Sequence, residues 1–290
     1  MFDSIQSRRS RIHSGPGTLL VVGLIGLGAW PFCATAAEDG ADMLNDSFYL
    51  SLGGFIVGTD TRLRVNGNEF DGDEIDLENS FGQSDLNRFR IDGFWRFANR
   101  HKLRFLWFDW NADRTKKLKE DFIFDDELYQ ANATVNLKNG FSIYELAYEY
   151  AFLRREKFEL TGTIGLHYTE FDVALKTKLD VNGEPVGAAS AKADASVGAP
   201  LPVIGIRWLQ HLGQNFWFDA SGQYFALAID GYDGNLQDYR VGLTWQPRKY
   251  LGIGIGYNAF ALNVDVEKPK WNGSLDWSYR GPLAFISASF

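Results

Sequence analysis

The chain of 290 residues holds one cysteine, Cys33, so residues 38–290 can form neither a disulfide framework nor a Cys-based metal site. Cations are in deficit as well: 29 Lys and Arg stand against 37 Asp and Glu, a net charge of −8. An acidic chain repels phosphate backbones, which excludes nucleic acid as an expected partner. Histidine is scarce, with four in the whole chain. A long apolar run is missing too, since nothing beyond residue 37 approaches the roughly 18 uncharged residues of a transmembrane helix. If the chain enters a membrane, it does so as strands.

Residues 1–37 read as a targeting segment that is removed. Arg8, Arg9 and Arg11 precede the apolar run TLLVVGLIGLGAW, and the small-residue stretch CATAA follows with an A-x-A type cleavage site at Ala34-Thr35-Ala36. The apolar run is too short to span a bilayer as a helix. SRRSRIHS lacks the apolar residues expected after a twin-arginine pair, so the Sec route is expected. WPFC lacks the residues that precede a lipidated cysteine, so Cys33 leaves with the segment. Removal of 1–37 takes away three Arg and Asp3 and moves the net charge to −10.

Residues 38–290 alternate. In NRFRIDGFWRF, Phe89, Ile91, Trp95 and Phe97 share one face, and Arg88, Arg90, Asp92 and Arg96 share the other. Tyr144, Leu146, Tyr148, Tyr150 and Phe152 alternate with Glu145 and Glu149, and Tyr239, Val241, Leu243 and Trp245 with Asp238, Arg240 and Thr244. Faces this aromatic beside faces this charged suit a barrel with lipid outside and a polar lumen inside. The joints alternate between short (ANRHK, RREK, HLGQN, QPRKY) and long (60–86, 112–132, 178–200, 266–274), with a middling one at DGYDGN. Short periplasmic turns and longer extracellular loops have this rhythm. Aromatics flank the short joints, as a membrane interface favours.

The expected fold is all-β, a transmembrane antiparallel up-and-down β-barrel. Its ten strands fall near 47–59, 86–98, 101–113, 133–153, 157–178, 200–210, 214–229, 236–246, 249–265 and 274–290. Eight or twelve follow if the first loop hides a hairpin or two short strands are merged. LAFISASF is then the closing strand and pairs with FYLSLGGFIV, leaving no open edge in lipid. Leu275, Trp277 and Tyr279 have the opposite parity from Ile286 and Phe290, which predicts a bulge at Gly281-Pro282.

Signal, hairpin rhythm and terminal Phe290 resemble the small proteobacterial outer-membrane β-barrel proteins. DEIDLENSFG, APLPVIGIR, YDGNLQDYRVGLTWQPRKYLGIGIGYNAF and GSLDWSYRGPLAFISASF also resemble runs that recur in one such group without assigned activity. The resemblance implies an outer-membrane location and makes Phe290 an assembly signal. The implied partners are the barrel assembly machinery, periplasmic chaperones, outer-membrane lipids and lipopolysaccharide. It implies no activity and no cofactor, because one fold hosts many functions.

Candidate site residues follow from parity. Arg88, Arg90, Asp92, Arg96, Glu145, Glu149, Arg207, Asp219 and Arg240 point inward, where they read as a charge network that plugs the lumen or as the lining of a narrow pore. LHYTEF places His167 and Thr169 on one face, faintly like the His-x-Ser arrangement of lipid A deacylase barrels, but Thr stands for Ser and both face the lumen. Omptin-like proteases also have ten strands, yet their Asp and His-Asp pairs find no counterpart here. Asp71, Asp73, Glu74, Asp76 and Glu78 make the first loop acidic. Ile75 at the third ligand position breaks the EF-hand pattern, leaving a solvated loop or a weak Ca²⁺ or Mg²⁺ site. The expected role is structural or surface interaction, the alternatives being a narrow channel or a lipid-modifying enzyme centred on His167.

Overall fold

The computed structural model describes residues 41–290 apart from 57, 68, 83–86, 179, 182–183, 186–191, 230–231 and 269–270; the expected targeting segment lies outside the described residues. Ten antiparallel staves close a barrel. They are β1 (Phe48–Ile56 and its continuation Gly58–Asn66), β2 (Asn87–Ala98), β3 (His101–Lys117), β4 (Thr134–Arg154), β5 (Phe158–Lys178), β6 (Lys192–Gly213), β7 (Phe216–Ile229), β8 (Tyr232–Arg248), β9 (Leu251–Lys268) and β10 (Trp271–Ser289). Each pairs with its neighbours in chain order, and β1 returns to β10 with Tyr49 opposite Ser289 and Phe55 opposite Leu283. The Phe48 N–H donates to the Phe290 carbonyl at 2.7 Å and the Phe290 N–H to Phe48 at 2.9 Å. No stave is left as an edge.

Several staves run further than the alternation of lipid-facing residues suggests. β1 continues to Asn66 and β6 begins at Lys192. The expected joints at DGYDGN and 266–274 are instead mostly paired strand: Ile229 lies opposite Tyr232 and Lys268 opposite Trp271.

The reason is an inversion of amphipathicity partway up the barrel. On β4, Tyr144, Leu146, Tyr148, Tyr150 and Phe152 face out and are exposed, while Glu145 and Glu149 are buried inside. Three residues higher the sides trade character: Val135, Leu137, Phe141 and Ile143 are buried, and Asn136, Lys138 and Ser142 face out. β5 changes between Tyr168 and Glu170, with Phe171, Val173 and Leu175 replacing His167 on the inner face. Where the outside meets lipid the inside is charged, and where the outside meets water the inside is an apolar core.

This inversion corrects the expected bulge. β10 holds one register against β9 from Gly252 opposite Ser287 to Lys268 opposite Trp271, and one register against β1. Its odd residues face inward throughout: Leu275, Trp277 and Tyr279 belong to the upper core, and Ile286 and Phe290 face out below. The parity difference marks a change of environment rather than an extra residue.

Two loops roof the upper core. In the first, Ile75–Asp76 pairs with β1 and leads into the short helix α1 (Leu77–Phe81). Asp76 caps that helix by accepting from Asn79 N–H at 2.9 Å. It ends at Gly82, whose φ of 88° lies in the left-handed region glycine tolerates. The second loop forms the hairpin Phe122–Phe124 and Glu127–Tyr129. Asp73 N–H donates to Ile123 and Asp125 N–H to Val65, so the loops bind each other and β1. Leu77, Phe81, Phe124 and Tyr129 are thereby buried over the barrel mouth.

Candidate functional site: the charged lumen

The lower lumen is built on β2 to β8, whose inward positions carry charge because lipid occupies the other face. Six cations, Arg90, Arg96, Lys102, Arg104, Arg207 and Arg240, meet six carboxylates, Asp92, Glu145, Glu149, Glu159, Asp219 and Asp238. Among the described residues the two signs balance, which offsets part of the cost of withdrawing charge from water.

Near the periplasmic end, Glu159 holds Arg96 through both guanidinium tips at 3.1 and 3.2 Å and also pairs with Lys102. Lys102 reaches Glu149 at 3.2 Å. One oxygen of Glu149 accepts from Arg104 Nε at 2.6 Å and Arg207 Nε at 3.0 Å. Asp92 accepts from Arg240 at 3.0 Å, Arg90 at 3.3 Å and the Ser51 hydroxyl at 3.0 Å. Asp219 lies 3.7 Å from Arg240 and 3.9 Å from Arg207. The layer encloses a void of about 10 Å³, room for about one water molecule.

Aromatic rings sort the cations. Phe94 faces inward and is approached by Lys102 at 5.1 Å, Arg104 at 5.5 Å and Arg96 at 5.6 Å, so its π face softens their mutual repulsion. Arg240 lies 5.4 Å from the Phe285 ring. Gly254 makes that ring possible, because a Cβ there would stand 2.1 Å from it.

The top of the polar layer is His167. Its Nε2 lies 3.0 Å from Glu145 and 3.2 Å from Gln223 Oε1, and Gln223 Nε2 donates to the other Glu145 oxygen at 2.6 Å. Arg90 donates to Asn258, which donates to Asp238. Above them begins the aromatic core, with the Phe260 ring stacked 6.4 Å from His167 and 5.2 Å from Tyr279. Thr169 is buried and its hydroxyl has no partner among the described residues.

The chain also closes its own periplasmic mouth. Met43 and Leu44 are buried against Tyr49, Phe94, Leu209 and Trp217. Arg96 donates to the Met43 carbonyl at 3.1 Å, and Arg154 holds the Leu44 carbonyl and Asn45.

Of the residues that parity singles out, the structure brings together Arg90, Asp92, Arg96, Glu145, Glu149, Arg207, Asp219 and Arg240; the side chain of Arg88 lies outside the described residues. The candidate network left out Lys102, Arg104, Glu159, Asp238, Gln223 and Asn258, although alternation alone already puts Asp238 on the polar face. Lys102 and Arg104 alternate with Leu103, Phe105 and Trp107, a signal available within the strand expected at 101–113. The acidic loop does not gather. Asp76 caps α1, Asp73 accepts from Ile123 N–H, and Glu78 accepts from Thr59 and Thr61. Glu74 lies 3.7 Å from Arg64. Among the described residues, no group of three or more His, Cys, Asp or Glu could hold a metal ion. Phe290 faces out, stacked on Phe48 at 5.6 Å and near Tyr250.

No protein-family model matches the chain, and no curated protein sequence does. Solved structures do. The outer membrane protease OmpT from Escherichia coli superposes with a TM-score of 0.52 at 8% identity, over 88% of this chain and 100% of that one. The translocator domain of the autotransporter NalP from Neisseria meningitidis gives a TM-score of 0.45 at 10% identity, over 85% of this chain and 90% of that one. At such identities the first likeness speaks for fold alone, and it joins the closed register and apolar exterior: the chain is a ten-stranded transmembrane β-barrel of the outer-membrane type, located in the outer membrane.

Proposed function

We propose that the protein is a sealed barrel with a structural or surface-interaction role, displaying a rigid extracellular half above the membrane. The observation that carries this reading is the stacking of three closures in one lumen: the Met43–Leu44 segment, the balanced charge layer and the aromatic core under its loop roof. A channel needs a continuous water path, and the void within the charge layer, at about 10 Å³, holds about one water molecule. A lipid-modifying role for His167 finds little support, because that ring is fully buried while acyl chains lie outside. Assembly through the barrel assembly machinery and periplasmic chaperones, with Phe290 as its address, is part of the same proposal.

The test is solute entry into proteoliposomes carrying the refolded barrel. The sealed reading expects no swelling in arabinose above that of empty liposomes. Swelling at a rate proportional to protein content would replace it with the channel.

A further inference from the structure

The periplasmic end runs against the charge of the whole. The chain is acidic, yet three of the four short turns carry Arg100, then Arg154, Arg155 and Lys157, then Arg248 and Lys249. Among the described residues the carboxylates beside them are few. Glu156 is exposed, Asp42 is occupied by Leu44 N–H and Asn45, and Asp46 by Asp42 N–H and Ser289. Arg100, Arg155, Lys157, Arg248 and Lys249 are exposed and make no ion pair among the described residues.

Between the second of these turns and the N-terminal segment lies an open groove of about 910 Å³, lined by Leu44, Asn99, Arg155, Glu156, Lys157 and Phe158, among others. Its walls are fixed by the backbone. Arg155 N–H donates to Phe158 at 2.8 Å, His211 N–H to Lys157 at 2.7 Å, and Arg154 ties Asn99 to Leu44 beneath. Two cations that make no ion pair among the described residues thus flank Glu156, beside the partly exposed ring of Phe158.

Its level relative to the membrane identifies the ligand. Each cationic turn follows directly on the lowest outward aromatics: Trp95 and Phe97 before Arg100, Phe152 before Arg154, Trp245 before Arg248. Trp95 and Phe97 belong to a ladder along the rim, from Tyr250 through Phe290, Phe48, Trp95, Phe97 and His101 to Tyr150. Outward rings of this kind sit at headgroup depth, so the cations lie where lipid phosphates lie. Phe158, partly exposed on the outer face of β5, gives the groove a side open to an acyl chain.

We infer that this groove binds the headgroup of an anionic phospholipid of the periplasmic leaflet. Arg155 and Lys157 hold the phosphate, and the partly exposed Phe158 contacts the glycerol and first methylenes. The other rim cations extend the same preference around the barrel.

The test is native mass spectrometry of the barrel purified from outer membranes, titrated with phosphatidylglycerol and with phosphatidylcholine of the same acyl chains. Wild type should retain phosphatidylglycerol more tightly. Arg155→Gln/Lys157→Gln should weaken that binding by about fivefold per cation removed, from about 1 kcal/mol per basic residue at an anionic surface. Lys117→Gln/Lys119→Gln, which removes two cations from the opposite end, should leave it unchanged; folding of both variants is checked by heat-modifiable migration. Equal retention of the two lipids by wild type would overturn the inference, as would equal losses in the two double variants. Binding of free glycerol phosphate as tight as that of phosphatidylglycerol would assign the groove to a soluble anion instead.

Discussion

Phe141 on β4 and Trp277 on β10 stack across the interior, with ring centroids 3.5 Å apart and planes inclined by 21°. The two strands are not neighbours in the sheet, so this contact spans the lumen and makes the upper barrel a packed core. Trp277→Ala would leave a cavity too enclosed to collapse, at a cost of about 3–5 kcal/mol. Trp277→Phe keeps most of the stack and should cost well under half of that. Urea midpoints in detergent micelles, read by near-UV dichroism, would order the two variants.

Glu149 is the hinge of the charge layer, because Lys102, Arg104 and Arg207 all converge on it. Glu149→Gln removes the charge on which three buried cations converge and leaves them only Glu159, Asp92 and Asp219, a loss of about 3–5 kcal/mol. The pair of Lys138 and Asp113 on the extracellular surface makes the contrast, since both side chains are more than half exposed. Lys138→Gln there should change stability by no more than about 1 kcal/mol. Equal effects of the two substitutions on the urea midpoint would show that the buried network is not what holds the lower barrel.

Asp265, on the extracellular part of β9, lies directly opposite Asp233. Partial burial raises its pKa above the ordinary aspartate value, and the neighbouring Asp233 carboxylate adds to the rise. A raised carboxylate binds its proton more tightly in the folded state, so folding is favoured at low pH, and that advantage is lost as pH rises through the folded pKa. Asp265→Asn should therefore stabilise the hairpin of β8 and β9 at pH 7 by a few tenths of a kcal/mol, the scale of a like-charge pair facing across strands. The gain should vanish below about pH 4, where Asp is itself protonated. Amide exchange at Leu236 and Leu262 across that pH range would register it.

His167 bonds to Glu145 and Gln223 inside the barrel, and its neighbours are lumen groups. His167→Ala should leave the lipid A of cells expressing the protein unchanged by mass spectrometry while lowering the urea midpoint, since Glu145 loses a partner. An altered lipid A that depends on His167 would reopen the enzymatic reading.

The lower barrel was legible because lipid imposes one rule on every stave. Arg90, Asp92 and Arg96 alternate with Ile91, Trp95 and Phe97 wherever the chain crosses the bilayer, and the period alone sends the charges inward. The pairing of the first strand with the last followed from the need to leave no edge in lipid. The upper barrel was not legible by the same rule. Leu275, Trp277 and Tyr279 alternate with the same period as Ile286 and Ala288, and nothing local says that water has replaced lipid outside. Only the polarity of the intervening Ser274, Asp276 and Ser278 carries that information. The loop roof was hidden for a different reason: Asp73 and Ile123 meet only in the folded chain, and an acidic run reads as solvated until its acceptors are seen at work.

Single-channel recording of the protein, residues 38–290, in planar bilayers tests the sealed lumen most directly, with Glu149→Gln beside wild type. The account predicts a silent wild type with folding confirmed, and openings, if any, only in the destabilised variant. Steady openings in wild type whose conductance shifts with Glu149→Gln would contradict it and make the charge layer the constriction of a pore.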